Sequence, residues 1–157
     1  MYKEGVISLA FYPHNQPLKS PELQILNYLN ARIDWSNEDQ QNYLNLQKGY
    51  MGELKFYDFM QKELKTNDIQ LYSLLLEENN SVFQMDTLLI SQRTLYLFEI
   101  KNFAGDFYVK GEQWYAVSSR KEIRNPVHQL KRSEILLRQL LQKLDYHTKI
   151  EPYVVFL

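Results

Sequence analysis

Four charged residues sit where charge is costly. Residues 84–105 read QMDTLLISQRTLYLFEIKNFAG, two apolar runs joined by a short polar turn. Asp86 stands near the start of the first run, and Glu99 and Lys101 close the second. Side chains of a strand alternate faces, so Glu99 and Lys101 share one face with Ile100 between them. A run as apolar as Leu95-Tyr96-Leu97-Phe98 is of the kind buried on both faces. A carboxylate and an ammonium therefore stand together at the rim of a core. The fourth charge is Glu53. At about 100° per residue, Leu46, Tyr50, Phe56, Tyr57, Met60 and Leu64 fall within roughly 60° of it on a helix. Lys48, Lys55, Asp58, Lys62 and Lys65 fall on the far side.

Two carboxylates from adjacent strands make a set of hard oxygen donors. Mg2+ or Mn2+ suits such a set, since Mg2+ takes one or two carboxylates from protein and keeps several waters. The ion can hold a phosphodiester oxygen, acidify a water and neutralise a departing oxygen. The Ile100 carbonyl could be a further metal ligand beside Asp86 and Glu99. Lys101 could position or deprotonate the attacking water, or stabilise phosphorane charge. Glu53 could orient water, take part in proton transfer or complete a second metal site. The competing reading is a structural ion-pair cluster in which the four groups satisfy one another. The residues alone leave both open.

The elements that must carry these groups can be read in order. Residues up to about Lys19 form an arm or edge strand. Ser20-Pro21-Glu22 then starts a short helix ending near 31–34. Ser36-Asn37-Glu38-Asp39 caps a long helix running to about Lys65, with acids in its first turn. Gly49 and Gly52 flank Glu53 on it, each costing roughly 1 kcal/mol relative to Ala. That cost implies something approaching the helix closely. Strands are expected over 68–76, 82–91 and 94–102, with a polar turn at 77–81 and a hairpin at Gln92-Arg93. A further pair, Phe107-Tyr108-Val109 and Trp114-Tyr115-Ala116-Val117, is joined around Gly111. A basic loop follows over 118–124. Asn125-Pro126 opens a helix to about Leu144, and Tyr153–Leu157 is a final strand. With no polar tail after that strand, the chain is expected to continue into a longer protein.

Composition excludes several classes. At 157 residues, 45% hydrophobic and 24% charged, the chain suits one domain with a real core. It has no cysteine, hence no disulfide framework and no thiolate metal site. No apolar run is as long as a membrane span. The start, MYKEGVISLAFYPHNQP, lacks the layout of a signal peptide, so a cytoplasmic protein is expected. No G-x-x-x-x-G-K loop is present, which argues against nucleotide triphosphate hydrolysis. Charge is unevenly placed: residues 1–100 hold 8 Lys+Arg against 13 Asp+Glu, and residues 101–157 hold 10 against 6. A basic half could face phosphate, and segregation of solvated faces is the plain alternative.

Taken together, the order of motifs resembles the nuclease-related domain (NERD) family of the PD-(D/E)XK, restriction-endonuclease-like superfamily. The matching residues are Gly49, Gly52 and Glu53; Gln84 and Asp86; Glu99, Lys101, Asn102 and Gly105; Trp114 and Tyr115; and Asn125, Pro126 and Gln129. Met85 stands where the superfamily name has a proline. The resemblance implies an α/β fold with a mixed central β-sheet flanked by helices, in a nuclease domain covering 36–157 beside an arm and short helix at 1–35. It implies Mg2+-dependent cleavage of nucleic acid, DNA before RNA, by a metal-activated water. Asp86 and Glu99 become metal ligands, Lys101 the catalytic lysine, Glu53 the helix acid and Gln129 a residue reaching toward the site. Gln129 as a helix-start residue bonding the backbone is an equal alternative.

The runner-up function is a weakly active or inactive module of the same fold that binds nucleic acid or a partner. Arg120, Lys121, Arg124, Lys131 and Arg132 could contact phosphates, or simply form solvated faces. Trp114, Tyr115, Phe107 and Tyr108 could stack on bases, although core packing is the more ordinary use. His14, His128 and His147 show no ligand spacing. Homodimerisation through 1–35 is an expectation by analogy alone.

Overall fold

The computed structural model describes residues 15–64, 68–103 and 105–157. The arm expected before Asn15, with His14, lies outside them, as does Lys65. The described residues group into two compact units, one of 68–99 and Val127–Val154, the other of 17–64, Ile100–Pro126 and Val155–Leu157.

In the first unit, β1 (Ile69–Glu78), β2 (Ser81–Ser91) and β3 (Thr94–Lys101) form an antiparallel meander. β7 (Lys149–Phe156) lies beside β3, giving a mixed sheet of order β1-β2-β3-β7. The turn between β1 and β2 is only Asn79-Asn80, both left-handed at φ 51° and 58°. Asparagine tolerates that conformation and a two-residue hairpin demands it. The strands therefore run further than the polar stretch 77–81 suggested. Gln92-Arg93 makes the expected second hairpin, with Gln92 at φ 51°.

α3 (Pro126–Lys143) begins on the proline after Asn125, as the cap-plus-proline signal implied. Its Leu130 and Leu137, two turns apart, enter a core with Leu74, Phe83, Met85, Leu88, Leu95, Leu97 and Ile150. Met85 and Leu97 are each 1% exposed, and burial on that scale contributes about 1.5–3 kcal/mol per side chain. Polar contacts set the position of α3 over the β1–β2 hairpin. Ser133 Oγ donates to the Gln84 carbonyl at 3.3 Å, Arg132 Nη2 to the Val82 carbonyl at 3.3 Å, and Lys143 pairs with buried Glu78. Elsewhere on this sheet Tyr153 of β7 stacks on Tyr96 and Phe98 of β3.

In the second unit, α1 (Pro21–Leu29) packs on α2 (Asn37–Glu63). Ser20 and Ser36 cap them, accepting from the Leu23 and Asp39 amides. Buried Tyr43 ties the pair: its hydroxyl donates to Asn27 Oδ1 at 3.0 Å and accepts from Gln47 at 2.7 Å. α1 stops at Leu29, short of the expected 31–34. A small sheet, β4 (Phe107–Lys110), β5 (Gln113–Ala116) and β6 (Glu122–Ile123), completes this unit. β6 falls inside the segment read as a basic loop, and its pairing is short: Trp114 with Ile123 and Tyr115 with Glu122. Among the described residues no helix is long and apolar enough to cross a membrane.

Candidate active site

Asp86 and Glu99 lie on neighbouring strands of the first unit. β2 and β3 pair in register up to Thr87–Phe98. One residue further along each strand, beyond the last pair of the ladder, come Asp86 and Glu99. Both are buried, at 9% and 2% exposed. Carboxylates taken from water need partners or a metal, and both take part in interactions within the fold.

The backbone is distorted at the same place. Ser73 of β1 has φ 49°, a left-handed conformation costly for a residue with a Cβ. By register Ser73 faces Asp86, and these two fall in the gap between the Tyr72–Thr87 and Leu74–Met85 pairs. On either side the face presented to the core changes. Leu71 and Leu74 both pack into it, as do Met85 and Leu88, although each pair is three residues apart. In an unbroken strand an odd spacing puts side chains on opposite faces. Asp86 thus sits at a kink shared by two strands, a device that re-aims a side chain. Nothing in the apolar alternation announced it.

In the second unit the segment after Glu99 is held to α2. Lys101 ends β3, two residues beyond Glu99 and half-exposed, and its carbonyl accepts from the Leu157 amide at 3.0 Å. Asn102 follows, and its Nδ2 donates to the Lys48 carbonyl of α2 at 2.9 Å. Gly52 makes room for it, since a Cβ there would lie 2.6 Å from Asn102 Cβ. The close approach inferred from the two glycines is real at Gly52. At Gly49, with open space around it, the inference does not hold. Glu53 is half-buried beside Gly52, with Oε2 below the surface. Of the stripe predicted for α2, Phe56 and Met60 are buried and Leu46, Tyr50, Tyr57 and Leu64 half-buried.

The family model for NERD, the nuclease-related domain, matches residues 48–157. The chain belongs to that family. Comparison with curated proteins and with solved structures returns no match.

Within the nuclease-related domain, the remaining motif residues divide by task. Trp114 packs on Phe156 at 5.7 Å between ring centroids and on Phe107 at 5.4 Å, which is core packing. Tyr115 stacks on exposed Tyr108 at 5.3 Å on the other face of the small sheet. Asn125 Nδ2 donates to the Glu112 carbonyl at 2.8 Å, bracing the chain just before α3. Gln129 is half-buried in the first turns of α3, next to core Leu130. Arg120, Lys121 and Arg124 are exposed in the second unit, and Lys131 and Arg132 are exposed on α3 of the first.

The donor chemistry can be tested against a metal. Among the described residues no three His, Cys, Asp or Glu side chains cluster as a zinc site would need. That does not fit structural or catalytic zinc, which takes three or four protein ligands. Two buried carboxylates on neighbouring strands are a donor set of the kind that suits Mg2+ or Mn2+, which complete their shell with water. Asn102, present in the family pattern but given no task from sequence, is the positioning residue that sequence reading missed. The Gly52 signal pointed to it without naming it.

Proposed function

We propose that this domain is a metal-dependent nuclease that hydrolyses phosphodiester bonds in DNA, with RNA as the lesser candidate. The observation that carries the reading is the burial of Asp86 and Glu99, each one residue beyond the last β2–β3 pair, on a strand that closes on Lys101. Asp86, Glu99 and the Ile100 carbonyl are the groups that would hold Mg2+ or Mn2+. When bound, the ion supplies charge neutralisation at the phosphate and lowers the pKa of a water.

The protein's own groups take the other tasks. Lys101 positions the attacking water or deprotonates it, or holds charge building on the phosphoryl oxygens. Glu53 orients water or accepts its proton. Gln129 orients substrate or water from the first turns of α3. Asn102, anchored to the Lys48 carbonyl, fixes the backbone directly after Lys101. Arg120, Lys121, Arg124, Lys131 and Arg132 hold backbone phosphates.

A second reading, a nucleic-acid-binding module with little or no cleavage, is favoured by one observation. Glu99 is only 2% exposed, which leaves little room for a hydrated ion. Cleavage of labelled single- and double-stranded DNA and RNA, with Mg2+, Mn2+ or chelator, separates the two. Chelator-sensitive cleavage supports the nuclease. Binding without cleavage under every metal supports the module.

A further inference from the structure

α3 carries four cationic side chains and a histidine, and they fall into two groups. Near its C-terminal end, Arg138 pairs with Glu134 at 2.8 Å and Lys143 pairs with Glu78. Nearer its start, His128, Lys131 and Arg132 occupy one face at spacings of three and four. Among the described residues none of these three has a carboxylate within ion-pair distance. Arg132 is positioned by its bond to the neutral Val82 carbonyl, which leaves its charge uncompensated.

These three residues line a groove of about 380 Å³ with Ile135, Leu136 and Gln139, and among the described residues no carboxylate contributes to its wall. The volume lies at the lower end of the roughly 300–1,000 Å³ range of small-ligand sites. Lys131 and Arg132 make part of its wall cationic, and Ile135, 48% exposed, and Leu136 make another part apolar beside Gln139. A nucleotide has the matching polarity, a phosphate at one end and a sugar and base at the other. Arginine and lysine supply the donors that phosphate needs.

We propose that this groove is a nucleotide subsite for the bound strand, away from the scissile phosphate. Lys131 and Arg132, with His128 beside them, hold one backbone phosphate, and Ile135 and Leu136 carry the attached sugar or base. The inference rests on the nucleic-acid reading above, and does not require that the domain cleave. It gives α3 two roles: its Leu130 and Leu137 side builds the core, and its opposite side holds the strand.

The test is equilibrium binding of a fluorescent oligonucleotide to the Asp86→Ala domain by anisotropy, titrated over salt, with thermal melts as a folding control. One phosphate contact contributes about −0.9 to the slope of log K against log salt for duplex and about −0.7 for a single strand. Lys131→Ala is expected to reduce the slope by that amount and to weaken duplex binding about eightfold at 0.1 M salt, that slope read from 1 M. Lys131→Arg is expected to restore the slope. Arg138→Ala, on the same helix but already paired with Glu134, is expected to leave it unchanged. An unchanged slope in Lys131→Ala, or no binding by Asp86→Ala, overturns the subsite. Full competition by inorganic phosphate alone overturns its assignment to a strand. Cleavage by the wild-type domain is scored separately, so a failed nuclease reading does not carry this result with it.

Discussion

The Asn102 side chain lies across the face of α2 at Gly52, where an added Cβ would stand 2.6 Å from Asn102 Cβ. The same side chain donates to the Lys48 carbonyl one turn earlier on the helix. A backbone carbonyl in mid-helix is already used by its own ladder, so the extra bond depends on close approach, and close approach depends on the missing Cβ. The residue that follows Lys101 is thereby anchored to the helix that bears Glu53.

Gly52→Ala and Gly49→Ala are expected to move stability in opposite directions, although both replace a helical glycine. Alanine gains about 1 kcal/mol of helix propensity at each. At Gly52 that gain is offset by overpacking of about 1–3 kcal/mol, because the contact is with Asn102 Cβ and not with the end of a flexible chain. Urea unfolding should show Gly49→Ala more stable than wild type and Gly52→Ala less stable by about 1 kcal/mol net. Equal stabilisation by both would show that Asn102 does not occupy that space.

Asp86→Ala is expected to lower metal-dependent cleavage by at least about 10²-fold, the scale of a group acting directly in proton transfer or charge stabilisation. Asp86→Asn keeps the shape and should keep the fold, so a melt within a few degrees of wild type should accompany the loss. Calorimetric titration with Mn2+ gives an independent readout, in which the heat of binding disappears in both variants. Unchanged cleavage in Asp86→Ala would remove Asp86 from the site.

Ser73→Val is expected to cost about 1–3 kcal/mol, since a β-branched side chain resists the left-handed conformation more than serine does. Because Ser73 faces Asp86 by register, the variant should also bind Mn2+ more weakly. Ser73→Gly should accept the same backbone, so its Mn2+ affinity should stay near wild type. A Ser73→Val domain with wild-type stability and metal affinity would argue against a kink that matters.

Lys143→Met is expected to destabilise the domain by about 1–3 kcal/mol, because it strands Glu78, which is 3% exposed. The bond from Lys143 Nζ to Asn79 Oδ1 at 2.8 Å is lost with it. Adding Glu78→Gln to Lys143→Met should recover part of that loss, since the uncompensated charge is removed. Chemical unfolding of the two single variants and the double variant measures the coupling.

Much of this molecule was legible in its residues. Ser20-Pro21, Ser36 and Asn125-Pro126 marked the helix starts because caps and first-turn prolines act locally. The Gln92-Arg93 hairpin followed from apolar runs broken by two polar residues, whereas the tight Asn79-Asn80 turn was hidden inside the longer polar stretch 77–81. Asp86, Glu99, Lys101 and Glu53 stood out because charge inside apolar patterning carries a desolvation cost, and cost is visible in sequence.

Only the tertiary structure decided the rest. β6 escaped because a two-residue strand gains its pairing from β5 and leaves no periodicity of its own. Gly49 and Gly52 read alike until Asn102, fifty residues away from Gly52, was found against one of them and not the other. The kink at Ser73 and Asp86 depends on how two strands share a register, which no single segment encodes. Spacing along the chain determines which residues can share a face of one element. Which elements then meet is a long-range packing outcome, and it is what buries Asp86 and Glu99 on neighbouring strands.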